Sequence, residues 1–176
     1  MTLDRRILPR LLISLNGALT PFPGAAGHIF PAMAKLFFLN SLTPQFFAWR
    51  ARDPRAVERV IGQTGSKVTP ERLAYYQRLF RSPTHVGAAL AMMANWNLAS
   101  LAKELPELPC PLLLVTGSSD LAVLPDQAFR LAKTIPDAKV AVLRGLGHLM
   151  HEEDPRQVSE TIFQAAAGAT ADALTD

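Results

Sequence analysis

The sequence predicts an α/β fold of about three parallel strands flanked by helices, with a long helical insertion after the first strand. Three observations carry this. Short apolar runs at residues 10–15, 111–116 and 139–143 are bounded by turn residues and have the length of buried strands. The second and third runs enclose a helical pattern, and such alternation implies parallel pairing through right-handed crossovers. Between the first and second runs, residues 20–105 carry helix starts and few strand signals.

Taken in order, Arg10-Leu11-Leu12-Ile13-Ser14-Leu15 reads as a buried strand closed by the turn pair Asn16-Gly17, so that residues 1–19 form a first strand and turn. A parallel strand of this kind requires neighbours on both sides. In the insertion, Thr43-Pro44, Asp53-Pro54, Thr69-Pro70 and Ser82-Pro83 each place a side-chain acceptor at an N-cap and proline at the first helical position. They predict helices near 44–50, 54–62, 70–81 and 83–95, in addition to one near 30–40. Ile29, Phe30, Met33, Leu36, Phe37, Phe38, Leu39, Phe46, Phe47 and Trp49 make the insertion too apolar for a solvated connector. Aromatic stripes at helical spacing are expected to pack as core, the alternatives being a greasy cavity or a membrane surface.

Residues 106–168 then read strand, helix, strand, helix. Ala128, Leu131 and Ala132 share one face of a helix around 125–135, and Pro136-Asp137 turns the chain into the third strand. Asp154-Pro155 starts the last helix, with Gln157 placed to complete a capping box. The small, polar tail at 169–176 is expected to fray.

At 176 residues the chain reads as a single domain long enough to bury a core. An apolar fraction of 49% with 19% charged residues argues against disorder, and a net charge of +3 is far from the basic stripe of a nucleic-acid binder. The single cysteine, Cys110, excludes an internal disulfide and, at the start of a buried strand, reads as a packed thiol. The apolar run at 11–15 is short for a secretory signal, and no stretch approaches the ~20 apolar residues of a membrane span. A cytoplasmic protein with at most peripheral membrane contact is expected.

Two residues stand where chemistry is usually found. Asp120 follows the second strand through Gly117-Ser118-Ser119, and His148 follows the third through Arg144-Gly145-Leu146-Gly147. Both lie beyond the carboxyl ends of parallel strands, where open sheets place functional groups. In a nucleophile–acid–histidine triad the acid accepts an imidazole N–H, fixes the tautomer and stabilises the imidazolium that forms. Taken singly, Asp120 is a turn cap and His148 a surface residue; their order and placement favour a catalytic pair. His148-x-x-His151-Glu152-Glu153 brings metal-ligand types together, but no further cluster joins them. No metal and no cofactor is therefore assigned, and Glu152 and Glu153 read as charges near a helix N-terminus. His28 and His85 receive no role. The nucleophile is absent: no G-x-S-x-G turn occurs, and Ser14, Ser66, Ser118 and Ser119 lack the strand–turn–helix setting that activates an elbow serine. Cys110 stands at the wrong end of its strand. Triad catalysis is not expected from these residues alone.

The motifs Pro111-Leu-Leu-Leu-Val-Thr-Gly-Ser-Ser-Asp120 and Gly145-Leu-Gly-His148, within residues 110–163, resemble the C-terminal part of the α/β-hydrolase superfamily. This implies the C-terminal half of that fold, with residues 20–105 as a helical lid. Ile13-Ser-Leu-Asn-Gly-Ala-Leu19, Phe47-Ala-Trp-Arg50, Arg81-Ser-Pro-Thr-His-Val86 and Ala91-Met-Met-Ala-Asn-Trp96 resemble a narrower group, the magnesium chelatase accessory proteins of bacteriochlorophyll biosynthesis. That resemblance implies a role around Mg²⁺ insertion into protoporphyrin IX, with Asp120 and His148 as the acid and histidine of the intact family member. It also implies a tetrapyrrole or other apolar small molecule under the lid, and an N-terminal half or chelatase subunits as partners. The superfamily's first strands, oxyanion loop and nucleophile elbow are missing, so Met1 reads as an internal methionine of a longer ancestor. An apolar strand left at an open edge is expected to cause self-association. Two other readings stand beside this one: a truncated esterase-like small-molecule hydrolase, and a non-catalytic pigment- or protein-binding module.

Overall fold

The structure, a computed structural model, describes residues 8–21, 33, 36, 40 and 42–172. The helix expected near 30–40, apart from these isolated positions, and His28 lie outside the described residues.

Strands β1 (Leu12–Leu15), β2 (Leu112–Gly117) and β3 (Ala138–Leu143) form one parallel sheet in the order β1-β2-β3, as the sequence predicts. Alternation along each strand divides the core between two faces. Leu112 and Leu114 of β2 meet Leu12, Val140, and Leu131 and Ile135 on one face, together with Leu105 and Leu101. Leu113 and Val115 meet Ile13, Leu15, Leu143, Met150, Val158 and Ile162 on the other. The faces are covered by helices α6 (Pro125–Ala132) and α8 (Pro155–Asp172) respectively. Burial on both faces is why β2 reads as a continuous apolar run.

β1 is an outer strand. Leu12 N–H donates to Pro111 O and Asn16 N–H to Val115 O, so the alternate residues Ile13 and Leu15 direct their backbone groups away from β2. No described strand lies on that side.

The chain forms two compact units: Met1–Thr20, Gln63–Lys67 and Ala99–Asp176 in one, Pro21–Gly62 and Val68–Leu98 in the other. The sheet belongs to the first. Helices α1 (Thr43–Arg50), α2 (Pro54–Gln63), α3 (Pro70–Phe80) and α4 (Pro83–Ala94) build most of the described part of the second. Three of the four expected caps form: Asp53 Oδ1 accepts from Arg55 N–H, Thr69 Oγ1 from Arg72 N–H and Ser82 Oγ from His85 N–H. Thr43 is the exception. It lies inside α1 and is buried, with Leu42 at the N-cap position and its N–H bonded to Asn40 O.

The aromatic residues of α1 also depart from expectation. Phe46 and Trp49 are 56% and 58% exposed, whereas Thr43 and Ala48 are buried. Thr43 and Ala48 turn inward, and a Cβ on Gly87 of α4 would lie 3.5 Å from Pro44 Cγ, an ordinary van der Waals contact.

Helix α5 (Leu98–Glu104), a 3₁₀ turn (Leu105–Glu107) and the short α7 (Met150–Glu153) were not anticipated from the pattern. The helix expected over 125–135 ends at Ala132, where Thr134 Oγ1 donates to Leu131 O. The last helix runs to Asp172 rather than fraying after Gly168, because the alanines at 165–167, 169 and 171 are strong helix formers. Among the described residues no helix is long and apolar enough to cross a membrane.

Cys110 is buried where β2 begins, and burial pushes its thiol above the ordinary value of 9.0. The folded form therefore holds this proton more tightly than the unfolded chain. The associated stability is fully present below about pH 9 and is lost as pH rises through the higher folded value. Above pH 9 the urea midpoint is expected to fall, and to fall less steeply in Cys110→Ala. Identical alkaline slopes in the two proteins would contradict this.

Candidate active site

The two predicted residues meet at the carboxyl edge of the sheet. After β2 the chain turns tightly: Ser118 N–H donates to Leu143 O, Ser119 N–H to Leu146 O and Asp120 N–H to Gly117 O. Gly117 allows this closeness, since a Cβ there would lie 2.4 Å from Leu146 O. The turn brings the Asp120 carboxylate inward, where the residue is 1% exposed. Its Oδ1 accepts from Ala122 N–H and Val123 N–H, both at 2.8 Å, and its Oδ2 lies 2.9 Å from His148 Nδ1. Turn cap and imidazole partner are thus two oxygens of one side chain.

A carboxylate only accepts, so opposite one Nδ1 is the donor of the pair and Nε2 is the ring nitrogen left for another partner. The imidazole side chain is 31% exposed. The ring is oriented by a buried carboxylate.

The loop carrying His148 is fastened by residues both near it and far from it in sequence. Gly145 N–H donates to Ser118 Oγ and Gly147 N–H to Glu153 Oε1, each at 2.8 Å. His148 N–H reaches Thr64 O at 3.4 Å, and Leu149 N–H reaches Ser66 Oγ at 2.8 Å. Thr64 O also accepts from Leu121 N–H, so one short segment crosses both loops of the pair. Contact is backbone to backbone. A Cβ on Gly65, whose φ is +80°, would lie 1.9 Å from Ser119 O, and one on Gly147 would lie 2.4 Å from the Gly65 carbonyl.

These positions were not singled out from the sequence. Residues 63–67 lie within the stretch 20–105 that the sequence assigns to the insertion. Glu153 is, as expected, an acid in the first turn of a helix, and its carboxylate also accepts from the N–H groups of Gly147 and Lys67. Ser66 and Ser118 spend their hydroxyls on loop backbone. His85 starts α4, and His151 is exposed on α7. Among the described residues no group of three His, Cys, Asp or Glu side chains is placed to hold a metal ion.

Comparison with known proteins adds a lineage to this geometry. The pattern of the Alpha/beta hydrolase family matches residues 5–161. The Magnesium-chelatase 30 kDa subunit of Rhodobacter capsulatus is 36% identical over 149 residues, covering 82% of this chain and 50% of that protein. A thermophilic esterase from Thermogutta terrifontis superposes with a TM-score of 0.64 at 24% identity, covering 91% of this chain and 56% of the esterase. A haloalkane dehalogenase variant from Bradyrhizobium elkanii gives 0.63 at 22% identity, covering 99% and 64%. At these identities the two structures establish the fold. The chain spans about half the length of the curated relative.

Proposed function

The chain belongs to the alpha/beta hydrolase family, and from that premise we propose that it supplies the acid and base of a hydrolase triad whose nucleophile comes from polypeptide outside these residues. The observation that carries this is the Asp120 Oδ2–His148 Nδ1 contact at 2.9 Å, with the other carboxylate oxygen anchored by two backbone N–H groups. In this reading a hydroxyl nucleophile enters at the carboxyl edge of the sheet. His148 Nε2 takes its proton as it attacks a carbonyl carbon, Asp120 stabilises the imidazolium, and the proton passes on to the leaving group. The helical unit over residues 21–62 and 68–98 acts as the lid.

The similarity to the Magnesium-chelatase 30 kDa subunit supports a role beside magnesium chelation. The proposal places that role in bacteriochlorophyll synthesis in the cytoplasm, with chelatase subunits as partners. A non-catalytic reading is favoured by a different observation. Phe46, Phe47 and Trp49 form an exposed aromatic group, with Phe46 ring centroids 5.8 Å and 6.1 Å from the other two. Such a surface suits a flat tetrapyrrole or an apolar protein face.

Co-expression with the N-terminal half of the Rhodobacter capsulatus relative separates the readings. The chain alone is expected to leave p-nitrophenyl esters at the buffer rate. The reconstituted pair is expected to hydrolyse them, and His148→Ala to reduce turnover by about 10⁴- to 10⁶-fold. A soluble pair that hydrolyses no ester but quenches its tryptophan fluorescence with protoporphyrin IX, unaffected by His148→Ala, would sink the catalytic reading in favour of the binding one.

A further inference from the structure

We propose that Asn16 is the positioning residue that sets His148 against Asp120; the proposal rests on reading that pair as the acid and base of the site. Asn16 follows β1 directly, with φ of +46°, in the left-handed region that asparagine tolerates better than most residues. It is 6% exposed, and its own N–H is paired with Val115 O. The side chain joins the two loops of the site. Oδ1 accepts from Gly117 N–H at 2.8 Å, at the root of the turn that carries Asp120. Nδ2 donates to Gly147 O at 2.9 Å and to His148 O at 2.8 Å.

One amide therefore uses an acceptor and both its N–H donors on three backbone groups. The polarity of those groups fixes which residue serves. A backbone donor faces the oxygen and two backbone carbonyls face the nitrogen, so aspartate would oppose its carboxylate to two carbonyls and an aliphatic residue would leave all three without this partner. The N–H sides of Gly147, His148 and Leu149 are held by Glu153, Thr64 and Ser66. Asn16 holds the carbonyl side and is bonded to His148 itself. It fixes the backbone on which the imidazole turns, relative to the strand end that carries the acid.

The test reads the imidazole directly and needs no substrate. In the ¹⁵N-labelled chain, ring nitrogen shifts are expected to show His148 as the Nδ1–H tautomer. In Asn16→Ala and Asn16→Asp the ring is expected to become a mixture of tautomers. Amide exchange at His148 and Leu149 should rise about tenfold or more, while Leu114 and Val115 in β2 change by roughly twofold at most. Asp120→Asn is the control: it removes the acid without touching the clamp, so the tautomer is lost while His148 and Leu149 stay protected. This separates failure of the pair from failure of the clamp.

An unchanged tautomer in both Asn16 variants, or exchange that rises equally across the sheet, would overturn the proposal. Should neither variant fold, exchange of the unaltered chain in low urea decides. The Asn16 and His148 amides must then open together, and independent opening would overturn it.

Discussion

Asp120→Asn is expected to lower turnover of the reconstituted hydrolase by about 10⁴-fold while leaving it folded. The direction follows from how the carboxylate is used. Ala122 N–H and Val123 N–H both point at Oδ1, so the amide of asparagine must keep its oxygen there. Its NH₂ group then faces His148 Nδ1 at the place now held by Oδ2. Two donors cannot share that bond. The ring adapts by moving its proton to Nε2, which leaves Nδ1 to accept and removes the lone pair needed to take a proton from the nucleophile. The turn survives and the base is lost. A fall in kcat, with the urea midpoint nearly unchanged and the ring nitrogens reporting the opposite tautomer, is the expected result. A variant that retains full activity would remove Asp120 from the mechanism.

A large effect on stability is expected at Gly147. A Cβ there would sit 2.4 Å from the carbonyl carbon and oxygen of Gly65 and 2.6 Å from Ser66 N. These are backbone atoms, so no side chain can swing aside. The two segments must separate, and the bonds from His148 N–H to Thr64 O and from Leu149 N–H to Ser66 Oγ go with them. Losing two such bonds costs roughly 1–3 kcal/mol each, so Gly147→Ala is expected to cost about 3 kcal/mol or more. Gly145 supplies the comparison. Its φ is +80°, whereas Gly147 is not in the left-handed region, and a Cβ there meets nothing within 4 Å, so Gly145→Ala carries only the conformational penalty of about 1–2 kcal/mol. Equal urea midpoints for the two variants would show that crowding at Gly147 is not the cause.

What the sequence revealed was whatever is written locally. The three strands are apolar runs closed by turn residues, and Pro54, Pro70 and Pro83 each start a helix behind a residue whose side chain caps it. Asp120 and His148 were legible because a strand end fixes which edge of a parallel sheet a residue reaches. Their contact required only that β2 and β3 be neighbours. Asn16, Ser66 and Glu153 were illegible for the opposite reason. Each bonds backbone N–H or C=O groups, which every residue presents, at separations from 6 to 132 positions. The orientation of α1 was lost for yet another reason. With Phe46, Phe47, Ala48 and Trp49 consecutive, the helix has no clear stripe to say which side turns inward, and Phe46 and Trp49 stay exposed.

The sheet order has a consequence in chain entropy. Leu112 pairs with Ala138 after ~26 residues, yet with Leu12 only across ~100, and the longer closure costs roughly 1 kcal/mol more. The contact order of the sheet is therefore concentrated in its first strand. Acid and base belong to the stretch of chain that closes cheaply, whereas Asn16 arrives on the strand whose pairing is entropically dearest. The geometry of the site is thus tied to the least local contact in the sheet.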